Sequence, residues 1–357
     1  MSKHQPDLEA LLAHEASNAN LTYFAFVNGQ LAPPAPVAAK RKGRRGAKKK
    51  PAAAPPRALP LPQVLAGRYR LERLLGAGGM GTVYRARDLL REQFGDPQPC
   101  VALKLMSEAL AAAPDANALL FSEFALTRHV AQPHVVQLYN FEIDSQSQRA
   151  FFTMELLGGP ALDKLLCEQP LGLHGPALNA IVLPLLEALA GCHARGVFHG
   201  DLKPSNVMLA EHGVRLFDFG LGQANAEALA GLAHLSRERF NAWTPGYAAP
   251  ELLEQGTLSA AADVYAVACL IYELASGRHP YRRLPSTQAR TEQLERTLSR
   301  PPNLPAQCWP ALKNALAFDP ALRTVSARQL HAAMGARQGV FQRALSRFKR
   351  GLRMPTS

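Results

Sequence analysis

From Tyr69 onward, apolar residues recur in short runs of strand length, bounded by glycine, proline and polar clusters. The predicted strands are Tyr69–Leu75, Thr82–Arg87, Val101–Met106, Val136–Phe141 and Ala150–Met154. A single helical stretch, Ala116–His129, interrupts them. Beyond Leu162 the period changes to that of helices. Leu178–Arg195, Ala260–Ser276, Gln288–Leu298, Trp309–Phe318 and Ala327–Gly335 all carry apolar residues at helical spacing. A β-rich half followed by an α-rich half predicts an α+β architecture of two lobes. No internal repeat is visible.

The flanks read differently. Residues 1–31 hold a short helical pattern from Asp7 to His14 and an apolar run, Leu21–Val27. Residues 32–66 are rich in Ala, Pro, Lys and Arg and nearly devoid of large apolar side chains. Such a stretch has nothing to bury, and its like charges repel, so a disordered basic linker is expected. It serves either as a solvated spacer or as a tether to an anionic surface. Organised sequence is expected over residues 67–336, with an N-lobe to about 157 and a C-lobe from about 158. Residues 337–357 form a basic amphipathic tail in which Phe341, Leu345, Phe348 and Leu352 alternate with Arg343, Arg347, Lys349 and Arg350.

Charge changes the picture only once it is located. The chain of 357 residues carries a net +12. Residues 1–60 hold ten Lys/Arg against three acids, and residues 337–357 hold six against none, which leaves the middle close to neutral. A basic globular nucleic-acid domain is therefore not expected, and an anionic partner would meet the ends. Weak contact of the C-terminal tail with an anionic membrane surface is one reading; a last helix packed on the C-lobe is the other. Five scattered cysteines without CxxC spacing disfavour both a disulfide framework and a zinc site. No secretory leader and no uninterrupted transmembrane run are seen, since Pro184 and Glu187 break the longest apolar stretch. A cytoplasmic location is the expectation.

The chemistry concentrates in three segments. The first is Gly76-Ala77-Gly78-Gly79-Met80-Gly81, between two predicted strands. Glycines allow a backbone to approach phosphate oxygens closely. A dinucleotide fingerprint needs a helix next, whereas here a strand containing Val83 follows, so a hairpin covering phosphates is expected. The second is Val101-Ala102-Leu103-Lys104, an apolar strand bearing one lysine. A cleft ammonium needs an anion, such as a nucleotide phosphate, and Glu123 on the next helix is the carboxylate to brace it. The third runs from His199-Gly200-Asp201-Leu202-Lys203-Pro204-Ser205-Asn206 to Asp218-Phe219-Gly220. Asp201 is placed to receive a hydroxyl proton, and Lys203 to neutralise a transferring phosphoryl group. Asn206 and Asp218 offer hard oxygen ligands for Mg²⁺. Read singly, these are a glycine turn, a surface ion pair and turn aspartates; in this order they point to phosphoryl transfer.

The region from about Tyr69 to Met334 resembles the eukaryotic-like (Hanks-type) protein kinases. Its glycine loop, Val101–Lys104, His199–Asn206 and Asp218–Gly220 occur in the family order. Thr244-Pro245-Gly246-Tyr247-Ala248-Ala249-Pro250-Glu251 looks like the family's substrate loop. The resemblance implies a bilobal kinase fold, β-rich then mainly helical. It implies an ATP-dependent Ser/Thr protein kinase, autophosphorylating and acting in bacterial signalling. ATP and Mg²⁺, or alternatively Mn²⁺, are the implied cofactors. Asp201, Lys203, Lys104 and Glu123 are the implied catalytic residues. ATP would contact Gly76, Ala77, Gly78, Gly79, Met80, Gly81, Val83, Ala102, Lys104, the gatekeeper Met154, hinge residues Glu155 and Leu157, and also Asn206 and Asp218, which are the implied metal ligands. Asp263 would brace the catalytic loop, Arg323 would pair with Glu251, and Thr244 would link Lys203 to Asp201. His199 is expected beside Phe219, as a structural residue. The implied partners are proteins with Ser/Thr acceptors, with a phosphatase and a phosphothreonine-binding protein by analogy.

Gly200 departs from the family pattern, which often has arginine there to hold a phosphorylated activation loop. Activation is therefore expected not to depend strongly on loop phosphorylation, at Ser236 in particular. The His-Gly-Asp wording also occurs in kinases that act on aminoglycosides or choline. Those generally lack the Lys203-Pro204 pair and the Thr244–Glu251 loop, which favour protein substrates here. A pseudokinase scaffold is the third reading, which the presence of every catalytic group disfavours.

Overall fold

The computed structural model describes residues 63–336, apart from 79–80, 108–110, 112, 226–227, 230 and 233–243. The N-terminal segment, the tail, Gly79, Met80, Ser236 and Trp243 therefore lie outside the described residues.

The first lobe is one antiparallel sheet of six strands in the order β1-β2-β3-β4-β6-β5. These are β1 Val64–Leu65, β2 Tyr69–Ala77, β3 Gly81–Asp88, β4 Cys100–Met106, β5 Leu138–Ile143 and β6 Ala150–Met154. A short helix, α1 Leu89–Gln93, follows β3 and is capped by the Asp88 carboxylate, which accepts from the Leu90 and Arg91 N–H groups. Helix α2, Ala116–His129, packs on the sheet. Strand β4 is buried on both faces, as a central strand should be. Its Val101, Leu103 and Leu105 face one apolar cluster with Leu65, Tyr69 and Phe151. Its Ala102 and Met106 face the other cluster, with Leu120 and Phe124 of α2. Period-two alternation thus puts Lys104 on the α2 side, toward the cleft.

The second lobe is mainly helical. It contains α3 Leu162–Glu168, α4 Gly175–Ala194, α5 Pro250–Leu253, α6 Ala260–Ser276, α7 Ser286–Thr291, α8 Trp309–Ala315 and α9 over 327–336. Two small ribbons pair β7 Val197–Phe198 with β10 Gln223–Ala224, and β8 Val207–Ala210 with β9 Gly213–Leu216. Helices α4 and α6 supply much of one large core. Helix α4 is long and apolar enough to cross a membrane, yet Ile181, Val182, Leu185, Leu186 and Leu189 are buried in that core.

Several boundaries differ from expectation. Val64–Leu65 belong to the sheet rather than to the linker, because they pair with Arg70 and Tyr69 and Leu65 fills the core. The predicted strand Val136–Phe141 begins two residues later. Residues 134–136 instead cross to β9, where the Val136 N–H donates to Leu216 O (2.9 Å) and the Leu216 N–H to His134 O (2.8 Å). The predicted helix Gln288–Leu298 is split after Thr291. Gln293 takes φ +54°, and a 3₁₀ turn, Leu294–Thr297, follows. The predicted Trp309–Phe318 helix ends at Ala315. Helices α1 and α3 were not anticipated; each is too short for a clear period.

Candidate active site

Between the lobes, β4 and α2 bring a buried ion pair together. The Lys104 Nζ donates to Glu123 Oε1 (2.6 Å) and to Asp218 Oδ1 (2.8 Å). Glu123 lies on the buried stripe of α2, beside Leu119, Leu120 and Thr127. One ammonium faces two carboxyl groups here. Burial pushes Glu123 up to about 7, with Lys104 opposing and Asp218 adding to the rise. Burial opposes the Lys104 charge, but Asp218 and Glu123 outweigh it and hold the ammonium above the ordinary lysine range. Burial would likewise lift Asp218, but Lys104 holds it below the usual carboxylate range. Asp218 has φ +66°, an uncommon backbone for a non-glycine residue, of the kind concentrated at functional sites.

Gly81, at the start of β3, lies against this cluster. The Gly78 N–H donates to Gly81 O (2.8 Å). A Cβ on Gly81 would stand 2.8 Å from Leu105 O and 2.9 Å from Lys104 Cε, so only glycine lets β3 lie this close to the lysine. Val83, Met154, Leu138, Phe152 and Phe217 line the cleft beside Lys104, and Ala102 belongs to the same buried cluster. Leu157 packs at its edge. The Glu155 N–H donates to Gln137 O, and its carboxylate accepts from the Gln137 N–H (2.9 Å) and Arg215 (3.3 Å). Both groups of Glu155 thus tie the segment after β6 to Gln137 and Arg215.

The catalytic loop is fixed from below by Asp263 of α6. Its carboxylate accepts the His199 N–H (2.8 Å), the Gly200 N–H (2.9 Å) and a bond with His193 Nε2 (2.9 Å). Burial would raise Asp263, but these donors hold it low and ionised. His199 packs on Phe219, ring centroids 4.7 Å apart, and its Nε2 bonds to Phe217 O. Above this base, Lys203 Nζ donates to Asp201 Oδ2 (2.6 Å) and Thr244 Oγ1 (3.1 Å), and Thr244 Oγ1 donates to Asp201 Oδ1 (3.0 Å). Burial lifts the Asp201 carboxyl above its ordinary value, with Lys203 pulling back part of the rise. Asn206 Nδ2 donates to Asp201 O (2.9 Å). Its Oδ1 is buried without a hydrogen-bond partner among the described residues. A buried orphan oxygen suits a hard cation, so Asn206 and Asp218 fit the donor chemistry expected of them.

Further away, Arg323 donates to Glu251 Oε1 (2.7 Å) and Oε2 (3.2 Å), as well as to Ala261 O, Ala317 O and Phe318 O. Sequence reasoning did not find His193, Glu273 or Arg283. Glu273 accepts from the Tyr247 hydroxyl and pairs with Arg283. No motif marks these positions; only the apposition of α6 and the substrate loop reveals them.

Residues 69–334 match the protein kinase domain family. Serine/threonine-protein kinase PknE of Mycobacterium tuberculosis is 34% identical over 276 residues, which are 76% of this chain and 46% of that protein. Serine/threonine-protein kinase PkaA of Streptomyces coelicolor is 32% identical over 268 residues, 71% of this chain and 47% of that protein. The chain thus spans about half the length of the curated relatives it matches. Among solved structures, a cysteine-to-alanine mutant of the Mycobacterium tuberculosis PknI kinase domain aligns with a TM-score of 0.56 and 27% identity, covering 78% of this chain and 99% of that one.

Proposed function

Because the chain belongs to the protein kinase family, whose members use ATP and a divalent cation, we propose that it phosphorylates serine and threonine hydroxyls of proteins. The single observation carrying this reading is the triangle of Asp201, Lys203 and Thr244. It ties the catalytic carboxylate to the loop that a peptide would lie against, a tie with no purpose for a small acceptor.

In this reading the acceptor oxygen attacks the γ-phosphorus, the bond to the bridging β–γ oxygen breaks, and ADP leaves. Asp201 takes the hydroxyl proton, and Lys203 offsets negative charge on the transferring group. Lys104, held between Glu123 and Asp218, grips the α- and β-phosphates. The Gly76–Gly81 segment would cover the phosphates. Asn206 and Asp218 would hold Mg²⁺. That ion would neutralise phosphate charge.

The decisive test is transfer from γ-labelled ATP to Ser/Thr proteins, beside an Asp201→Asn variant and a panel of aminoglycosides and choline. We expect label on protein hydroxyls, reduced about 100- to 10,000-fold in the variant. Label on the small molecules alone would overturn the reading. Its wider setting is a cytoplasmic enzyme without specific nucleic-acid contact. A separately encoded phosphatase would reverse its kinetically stable phosphoesters, a phosphothreonine-binding protein would read them, and the basic tail at 337–357 would touch anionic membranes weakly. Cell fractionation tests the location, and vesicle sedimentation tests the tail.

A further inference from the structure

The substrate loop rests on a polar strut that the phosphoryl-transfer chemistry does not use. The Tyr247 hydroxyl donates to the carboxylate of Glu273. That carboxylate is buried, with only 3% of its side chain exposed. Its partner Arg283 donates to Glu273 Oε1 from Nε (3.1 Å) and Nη2 (2.6 Å), while 62% of the Arg283 side chain stands in water. A tight turn delivers the arginine. Arg282 and Arg283 both take positive φ, +56° and +58°, which is uncommon for non-glycine residues. The His279 Nδ1 holds the turn by accepting the Tyr281 N–H (3.1 Å) and the Arg283 N–H (3.0 Å). The turn also abuts the loop directly, since a Cβ on Gly246 would meet Arg283 O at 3.2 Å.

The other carboxylates framing this loop are also taken. Asp201 is bonded to Lys203, Glu251 to Arg323 and Glu254 to Arg290. Asp263 is filled by His193 and two backbone donors. Thus, among the described residues of the catalytic loop, α5, α6 and the 279–284 turn, each of these acids already has an internal partner. Two arginines, Arg282 and Arg283, are exposed beside the loop.

Resting on the protein-phosphorylating reading above, we propose that Arg283 is a specificity-determining residue. It occupies the deep Glu273 carboxylate beneath the substrate loop and steers the enzyme toward acceptor segments with acidic or neutral flanks. A basic flanking residue finds no unpaired carboxylate there and meets the like charge of Arg282 beside the Arg283–Glu273 pair. An acidic one meets the exposed guanidinium groups.

The test is a positional peptide library with a fixed Ser/Thr acceptor, assayed with Mg-ATP on the full chain. Wild type, Arg283→Ala and Arg283→Lys are compared, each first shown by thermal melting to be folded. Wild type should prefer Asp or Glu flanks over Lys or Arg by about tenfold in kcat/KM, the scale of one charge-assisted contact. Arg283→Ala should cancel or invert that preference by freeing Glu273, and Arg283→Lys should keep it. A wild type indifferent to flanking charge or favouring basic flanks, or a uniform loss against all peptides in Arg283→Ala, overturns the assignment. Failure of wild type to label any protein or peptide removes the parent reading, and this one with it.

Discussion

Gly200 shows what one backbone angle can decide. Its φ is +80°, and a Cβ there would meet Leu221 O at 2.6 Å and Leu258 Cδ2 at 3.0 Å. The missing arginine is therefore not a surface substitution. Gly200→Arg should lose about 1–3 kcal/mol for the strained backbone alone, and should lower kcat by moving Asp201. Thermal unfolding and steady-state kinetics check both. In the same vein, Ser236→Ala, outside the described residues, should keep most of the activity of the wild type. An inert but folded variant would show that loop phosphorylation matters after all. At Asp201 the expectation concerns pH. Its raised carboxyl must be ionised to take a proton, so activity falls as pH drops through a value above the ordinary carboxylate range. Lys203→Met removes the charge that opposes this rise, so the acid limb of the kcat/KM profile should move to higher pH. Most side chains gathered in the cleft were legible because each sits inside a short, ordered motif. The lack of room for a side chain at Gly200 was not, because it depends on the Leu221 carbonyl, which folding brings close.

At the scale of elements, the legible features were those that carry a local period. Ala116–His129 and Ala260–Ser276 fold as read, since each is a long, largely apolar run, the second buried continuously from Ala262 to Ile271. The elements that escaped are set by contacts distant in sequence. Val136 read as the start of a strand, but residues 134–136 pair with β9, some 80 positions on. The turn at 279–284 had no readable signal either, yet it carries a titratable core. Burial, with Arg283 adding to it and the Gly246 backbone opposing, lowers His279 to about 3. A histidine neutral in the fold and ordinary when unfolded stabilises fully above about pH 6.5. That contribution fades as pH falls from there toward 3, at up to about 1.4 kcal/mol per pH unit. His279→Asn keeps an acceptor for the turn and removes the titration. The stability gap between wild type and this variant, from urea unfolding, should shrink by about 1 kcal/mol between pH 6.5 and 5.5.

For the molecule as a whole, long ties hold the C-lobe to its substrate loop. Arg323, its side chain fully buried, joins Glu251 to three backbone carbonyls from two separate segments. Arg323→Ala should cost about 3–5 kcal/mol, because it strands a mostly buried carboxylate. Adding Glu251→Gln to that variant should recover part of the loss, a coupling that a double-mutant cycle in urea reads directly. Charge has a global layout too: the folded middle is close to neutral, while the net +12 of the chain resides in its ends. Gly200 has a consequence of an evolutionary kind. A single codon change restores the arginine but not the room for it, because the Leu221 carbonyl already fills that space. A lineage carrying this backbone must first move the segment after Phe219 before a loop phosphate can become a switch. The geometry around Leu221 thus stands against an arginine-held loop phosphate at this position.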